Sequence, residues 1–244
     1  MNDKHLQQTS DNLKANQADQ DTPETMAEIL KSLLSDKKCE TCGLRPVAAG
    51  AKRLCKRCIE VYKRRESRKP SRIILDLAEQ VGEAYMEACL GDVDIADDLL
   101  KADGDIFLWG DVGVGKTWAM AALLKHYLCD GFVCRRVNFD DFCCRVRATM
   151  NNHSHKTEYD LVKSLVDVDK LFIDDIGLRS KQETDFAYVT FYSILNKRQE
   201  RMLPTYISTN KSIDQLAHSF DQRIASRLGQ GTVIEMKGED RRGQ

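Results

Sequence analysis

The stretch from Asp105 to Thr117, DIFLWGDVGVGKT, constrains the fold of this chain more than any other. The apolar run from Ile106 to Trp109 predicts a strand, and the run AMAALL from residue 119 predicts a helix. Between them, the eight residues from Gly110 match the phosphate-binding pattern GxxxxGK[ST] at every fixed position. The alternative, a chance glycine-rich turn, does not account for the flanking strand and helix.

The spacing of this motif follows from the chemistry of phosphate. The glycines let several backbone N–H groups face one point, to which the following helix adds the positive end of its dipole. Lys116 is predicted to reach the β- and γ-phosphates of a nucleoside triphosphate, and Thr117 to ligate Mg²⁺. The predicted nucleotide-binding residues are the whole loop: Gly110, Asp111, Val112, Gly113, Val114, Gly115, Lys116 and Thr117.

The charge is unevenly distributed, although the formal net charge is −1. Residues 1–36 contain seven acidic residues against three lysines, whereas residues 37–72 contain thirteen Lys and Arg against three glutamates. The basic segment indicates a surface for nucleic acid or an acidic protein, with a solvated basic linker as the alternative.

The pattern of apolar residues favours a cytoplasmic protein without a membrane partner. The N-terminus is polar and lacks the apolar segment of a signal peptide. No apolar run approaches the ~20 residues that a membrane span needs. In a reducing compartment, the nine cysteines are expected to be metal ligands or buried apolar residues rather than disulfides.

Four of these cysteines form the pattern CxxC-x₁₂-CxxC. Two CxxC turns can direct four thiolates at one tetrahedral Zn²⁺, although the gap is shorter than the roughly 15–20 residues of the usual template. The rivals are unrelated cysteines and a redox dithiol, and the dithiol would need a βαβ context that this segment lacks. The sequence therefore predicts a structural zinc module with the ligands Cys39, Cys42, Cys55 and Cys58.

The chain is predicted to have four parts. They are an acidic arm with a short helix (1–36), the zinc module (37–66), a helical connector (67–98) and an α/β domain (99–244). In the last part, helices alternate with strands near 106–109, 132–138, 171–175, 204–209 and 232–236. This alternation predicts a five-stranded parallel sheet flanked by helices.

Polar residues follow two of the predicted strands. Because parallel strands end at the same sheet edge, Asp174 and Asp175 are expected near the phosphate loop. Asp174 is the candidate Mg²⁺ carboxylate, acting directly or through water, and Asp175 is the candidate to orient or deprotonate the attacking water. Asn210 is a candidate to bind the γ-phosphate or that water. The alternatives are helix capping for the Asp pair and turn formation for Asn210.

Five stretches of the chain carry a resemblance to a known family: GDVGVGKT (110–117), LFIDDIG (171–177), ILNKRQERMLPTYISTN (194–210), FDQRIASRL (220–228) and GEDRR (238–242). Together they resemble the AAA+ ATPases of the DnaC/DnaI helicase-loader group, which is close to the IstB transposition ATPases. The resemblance covers residues 70–244 and implies an ATPase that uses ATP and Mg²⁺. Turnover is expected to be slow, because Asp175 stands where many AAA+ proteins have the longer glutamate.

The resemblance also implies roles for residues outside the loop. Asn210 corresponds to the sensor-1 residue of the group. Arg223 and Arg227 lie in the segment that reaches the nucleotide of a neighbouring subunit, and Arg227 is the first choice for an arginine finger in trans, which requires self-association. Surface charge is the alternative for each of these arginines. The role of Arg242, which ends the tail motif, stays open.

Three functions are compatible with this pattern. The leading hypothesis is a loader that binds a hexameric replicative helicase through residues 1–66 and single-stranded DNA through the ATPase domain, with ATP switching its assembly. DNA contacts are expected at Arg145, Arg147 and Lys156, between the second and third strands. The alternatives are an IstB-like ATPase that acts on duplex DNA with a transposase, and a zinc-dependent DNA-binding regulator whose ATP site is only structural.

Overall fold

The computed structural model describes residues 48, 54–67, 70–102, 104–150, 157–176, 185–219 and 222–240. The chain divides into two compact units, residues 1–68 and 69–244. Within the described ranges, no helix combines the length and apolar character needed to cross a bilayer.

The described part of the first unit contains one helix, α1 (Lys56–Ser67). Leu54, Cys55 and Ile59 are buried together, and Cys58 packs against them. The backbone N–H of Cys58 donates to Sγ of Cys55 over 3.4 Å, so the second CxxC pair forms a turn at the start of α1. The other two predicted zinc ligands, Cys39 and Cys42, lie outside the described residues.

The segment predicted as a helical connector is only partly helical. Its elements are α2 (Pro70–Val81), two 3₁₀ turns (Glu83–Tyr85 and Leu90–Asp92) and α3 (Ala96–Lys101). Pro70 begins α2, where its missing N–H has no intrahelical partner to lose. Gly82 follows the helix with a φ of 82°, a left-handed conformation that glycine adopts without strain.

The second unit is built on a five-stranded parallel sheet with the strand order β2-β3-β4-β1-β5. Its strands are β1 (Ile106–Trp109), β2 (Cys134–Asn138), β3 (Lys170–Asp174), β4 (Thr205–Thr209) and β5 (Thr232–Glu235). Its further helices are α4 (Lys116–Cys129), α5 (Phe139–Thr149), α6 (Glu158–Val166), α7 (Asp185–Glu200), α8 (Ile213–Ser219) and α9 (Gln222–Leu228). The prediction of a five-stranded parallel sheet flanked by helices is confirmed.

Each face of the sheet contributes to a separate hydrophobic core. Phe107, Ile173 and Ile207 pack with residues of α5 to α9 on one face. Phe172 and Tyr206 pack with residues of α2, α3 and α4 on the other. Successive strand residues point to opposite sides of a sheet, and parallel sheets are buried on both faces. The apolar strands of this chain therefore need helices on both sides.

The strand order brings the predicted site residues to one edge of the sheet. β4 lies between β1 and β3, and all of its pairings are parallel. The carboxyl ends of these three strands therefore meet at the same edge. The phosphate loop follows β1, Asp174 ends β3, and Asn210 follows β4.

One arginine is entirely internal. Arg198, on α7, is 0% exposed, and its guanidinium donates to the carbonyls of Leu165, Val166 and Val168 at the end of α6. It also donates to groups at the start of β4, including the Thr205 hydroxyl at 3.0 Å. A cation suits the negative end of the α6 dipole. Arg198 therefore holds α6, α7 and β4 together.

Candidate nucleotide-binding site

The phosphate loop joins β1 to α4 and depends on its glycines. Gly113 and Gly115 have φ values of 87° and 95°, which residues with side chains rarely adopt. Gly115 is the N-cap of α4. A Cβ built on Gly110 would collide with the carbonyl oxygen of Met236. Backbone conformation and close packing thus explain the glycine at each of these three positions.

The segment after β5 lies against this loop. The backbone N–H of Met236 donates to the carbonyl of Trp109 at 2.7 Å. The carboxylate of Asp240 lies where a Cβ on Gly113 would stand. Sequence reasoning singled out this tail only by its resemblance to a family motif, and its packing on the loop is a feature of the tertiary structure.

Lys116 is held by the loop that it follows. Its Nζ donates to the carbonyl oxygens of Gly110 at 2.8 Å and of Asp111 at 2.7 Å. The ammonium group therefore lies beside the first turn of α4, where the helix dipole also favours an anion. This placement concentrates positive charge where the motif predicts phosphate.

Asp174 is the centre of a buried polar cluster. The residue is 3% exposed, and its Oδ1 accepts a hydrogen bond from the Thr117 hydroxyl at 3.3 Å. The Ser208 hydroxyl donates a shorter hydrogen bond to the same oxygen. Oδ2 accepts from Nη2 of Arg136 at 2.6 Å. Sequence reasoning paired Asp174 with Thr117 but missed Ser208 and Arg136.

The oxygen atoms of Thr117 and Asp174 fit the ligand chemistry of Mg²⁺, which prefers hydroxyl, carboxylate, phosphate and water oxygens. The described residues contain no group of three or more His, Cys, Asp or Glu side chains that could hold a metal ion. A Mg²⁺ at this position would therefore take its remaining ligands from phosphate and water, as is usual for this ion.

Asp175 leaves the sheet in an unusual conformation. Its φ is 57°, in the left-handed region that Asp tolerates better than most residues. Its backbone N–H donates to the Ser208 hydroxyl at 3.0 Å, and the N–H of Ile176 donates to the Ser208 carbonyl at 2.9 Å. Ser208 thus fixes both Asp174 and Asp175 against β4. Asn210 is exposed directly after that strand.

The two candidate finger arginines lie near the opposite end of β1. Arg227 donates to Oε1 of Gln199 at 2.7 Å and to the Tyr192 hydroxyl at 2.9 Å. Gln199 in turn donates to Asp105, the residue before β1, over 3.4 Å. Arg223 is exposed, with its guanidinium 5.3 Å from the centre of the Tyr192 ring.

Asp105 anchors this end of the sheet. Its carboxylate accepts from the backbone N–H of Thr205 at 2.7 Å. Burial raises the pKa of the Asp105 carboxyl above its ordinary value, because desolvation outweighs the hydrogen bonds from Thr205 and Gln199.

The predicted DNA contacts lie away from the nucleotide site in the chain. Arg145 and Arg147 are both exposed on α5, and Nη2 of Arg147 donates to Sγ of Cys144 over 3.4 Å. Lys156 and the tail residue Arg242 lie outside the described residues.

The family model described as the bacterial DnaA ATPase domain matches residues 81–235, more than half of the chain. The chain belongs to the bacterial DnaA ATPase-domain family. The matched segment runs from the end of α2 to the end of β5 and so includes every strand of the sheet. The motif-based resemblance is therefore confirmed at the level of an ATPase-domain family.

Curated relatives of this DnaA-family chain include two helicase loaders. The replicative helicase loader DnaC of Escherichia coli (strain K12) is 28% identical over 135 residues, which cover 54% of this chain and 54% of DnaC. The replicative helicase loader DnaI of Bacillus subtilis (strain 168) is 27% identical over 150 residues, covering 56% of this chain and 47% of DnaI. The chain spans about half the length of the curated relatives it matches.

A solved structure shares the fold. The replication initiator DnaA bound to AMPPCP and single-stranded DNA matches with a TM-score of 0.55 and 18% identity, covering 65% of this chain and 51% of that chain. At this identity the match shows that the DnaA-type fold is the same, and no more.

Proposed function

We propose that this chain is an ATP-dependent loader of a replicative helicase. The proposal rests on one observation. The phosphate loop, the Thr117–Asp174 pair and Asn210 lie at the same sheet edge of a DnaA-type ATPase domain. Two curated relatives are named as replicative helicase loaders, which favours this role over the other uses of the fold.

In this proposal the loop would hold the phosphates of ATP, and Thr117 and Asp174 would hold Mg²⁺, directly or through water. The ion would neutralise charge on the β- and γ-phosphates. Asp175 orients or deprotonates the attacking water, and its backbone is already fixed by Ser208. Asn210 binds the γ-phosphate or that water. The short reach of the Asp175 carboxylate leads us to expect slow hydrolysis.

An arginine from a neighbouring copy completes each site, with Arg227 as the first candidate and Arg223 as the second. The Gln199 contact that holds Arg227 is linked to Asp105, before β1, whereas the loop follows β1. Four strand residues span roughly 13 Å, so a chain is poorly placed to use its own Arg227 at its own loop. This arrangement supports a site that is shared between copies, and we therefore propose that the chain self-associates.

The proposed partners are single-stranded DNA and the helicase. The DNA would contact Arg145, Arg147 and Lys156, and the exposure of the first two on α5 supports this. A DnaA structure of the same fold is bound to single-stranded DNA. The helicase would bind the first unit through residues 1–66.

The central test is binding by the full chain in the presence of AMPPCP and Mg²⁺. We expect capture of a purified hexameric replicative helicase, and tighter binding to a single-stranded oligonucleotide than to a duplex of equal length. DNA affinity should fall as salt rises, because phosphate contacts release counterions. Replacing Arg145 and Arg147 by alanine together should weaken DNA binding, whereas Arg201→Ala, an exposed residue paired with Asp167, should not.

Two outcomes would contradict this function. A preference for duplex DNA without helicase capture would instead support a transposition-type ATPase. DNA binding by a chain that shows no measurable turnover when ATP is supplied in place of AMPPCP would support a regulator in which the nucleotide site is structural.

We also propose that the first unit binds Zn²⁺ through Cys39, Cys42, Cys55 and Cys58. The turn between Cys55 and Cys58, with its N–H···S hydrogen bond, is a geometry in which two thiolates can converge on one metal. Among the described residues of the first unit, the buried cluster around this turn is small, and a unit of this size needs a further source of stability such as a metal.

Cys58→Ser is therefore expected to lose bound zinc and destabilise the first unit, while AMPPCP binding by the second unit stays near wild type. Elemental analysis of the purified chain and an AMPPCP titration measure the two effects. Cys129→Ser, an exposed cysteine at the end of α4, is the matched control and should retain zinc. Wild-type chain purified without zinc would refute the module.

A further inference from the structure

Arg136, on β2, connects the proposed metal carboxylate to the end of α2. Its Nη2 lies 2.6 Å from Oδ2 of Asp174, and its Nη1 donates to the carbonyl of Val81 at 2.9 Å. Its backbone N–H donates to the Gln80 side chain at 3.1 Å. The guanidinium also lies 5.0 Å from the centre of the Tyr85 ring. One side chain thus contacts both Asp174 and the segment that follows α2.

A further contact connects Tyr85 to the first turn of α4, which follows the phosphate loop. Tyr85 packs edge-on against Trp118, with ring centres 6.5 Å apart. Trp118 directly follows Thr117 in the first turn of α4, and Thr117 donates to Asp174. Arg136, Tyr85, Trp118, Thr117 and Asp174 are therefore joined by contacts that connect the Asp174 carboxylate to the end of α2 and the first turn of α4.

The charge balance of this cluster depends on Arg136. The side chain of Asp174 is 5% exposed and that of Arg136 17% exposed, and a buried carboxylate is costly unless a counter-charge and hydrogen bonds compensate it. Thr117 and Ser208 supply neutral hydroxyl donors. Among the residues that the structure describes, Arg136 is the cation that forms an ion pair with Asp174.

A Mg²⁺ ion beside Thr117 would be a second cation next to the same carboxylate. Arg136 holds Oδ2, whereas Oδ1 already faces Thr117. The guanidinium thus orients the carboxylate for the metal, and its positive charge also weakens the attraction between Asp174 and that metal.

We propose that Arg136 is a positioning residue that serves as the resident counter-charge of Asp174 and sets the Mg²⁺ concentration at which nucleotide binds. The inference rests on the proposed nucleotide site and deepens it. Because Arg136 also binds Val81 and Tyr85, it links metal binding to the end of α2.

The test compares Arg136→Met, which removes the charge, with Arg136→Lys, which keeps it. The melting temperature of the full chain is measured at fixed AMPPCP over a series of Mg²⁺ concentrations. Arg136→Met should melt well below wild type without Mg²⁺, because the Asp174 charge is then uncompensated. The midpoint, which is the Mg²⁺ concentration that gives half of the full rise in melting temperature, should be about tenfold lower for Arg136→Met than for wild type. The reason is that one positive charge that opposes the metal has been removed.

Two further variants separate charge from packing. Arg136→Lys should keep a Mg²⁺ midpoint close to that of wild type, with some loss of stability because it cannot bind Asp174 and Val81 together. Arg135→Met, at the neighbouring β2 position whose side chain points to the opposite face of the strand, should keep the wild-type midpoint.

The proposal is overturned if Arg136→Met melts lower by the same amount at every Mg²⁺ concentration, with the wild-type midpoint. If Arg136→Met does not fold, the Asp174→Asn/Arg136→Met double variant decides. It should fold, because the neutral amide needs no counter-charge, and its failure to fold would also overturn the proposal. If the melting temperature of the wild-type chain does not change when AMPPCP and Mg²⁺ are added, the proposed nucleotide site itself is refuted.

Discussion

Lys116→Ala is expected to abolish tight ATP binding. The ammonium group is held at the loop by the carbonyls of Gly110 and Asp111, where it can exchange these oxygens for those of the β- and γ-phosphates. Losing two charge-assisted hydrogen bonds should weaken binding by about 100-fold or more. The two tryptophans of the chain, Trp109 and Trp118, flank the loop, so an ATP titration followed by their fluorescence measures the loss.

Lys163→Ala is the matched control, because Lys163 is an exposed lysine on α6. Its ATP affinity should equal that of wild type. ATP binding by Lys116→Ala within threefold of wild type, with the melting temperature preserved, would contradict the assignment of the loop as a phosphate site.

Mixing two inactive variants is expected to restore ATPase activity if an arginine acts in trans. Lys116→Ala loses tight ATP binding but keeps Arg227. Arg227→Ala keeps its nucleotide-binding site but lacks the arginine finger. In a mixture, some interfaces pair the intact pocket with the intact arginine. An arginine finger contributes roughly 10³–10⁵ in rate, so a minority of such interfaces should be measurable. Activity should also rise with protein concentration as copies associate.

The same mixture with Arg223→Ala tests the second candidate, and Arg201→Ala provides a control that should be active without mixing. Absence of recovery at every mixing ratio, with association demonstrated by light scattering, would leave Arg227 a structural role. Its contacts with Gln199 and Tyr192 would then explain the residue. If activity recovers in the mixture with Arg223→Ala but not in the mixture with Arg227→Ala, Arg223 is the arginine finger.

The parts of this protein that could be predicted are those encoded by nearby residues. The apolar run from Ile106, the glycine spacing and the Lys-Thr pair specify a strand, a loop and a helix over only thirteen residues. Asp174 and Asp175 were predicted at the sheet edge because they end an apolar strand.

The partners of Asp174 could not be predicted, because they depend on strands far apart in the chain. Arg135 and Arg136 are adjacent in CRRVN, and no local pattern says which of them meets Asp174. Ser208 lies in TYIST, a run typical of any buried strand. The order of the strands places both residues beside the carboxylate.

The amino-acid sequence by itself determined the elements, their alternation and the phosphate loop, because hydrophobic periodicity and glycine conformation act over a few residues. Only the tertiary structure decided what each charged side chain does. Arg198 and Arg227 both lie in the last turn of a helix, yet Arg198 is buried against the end of α6, whereas Arg227 lies partly exposed beside Tyr192. The physical reason is that the energy of a charged side chain depends on the groups that surround and solvate it. The fold brings those groups together from distant parts of the chain.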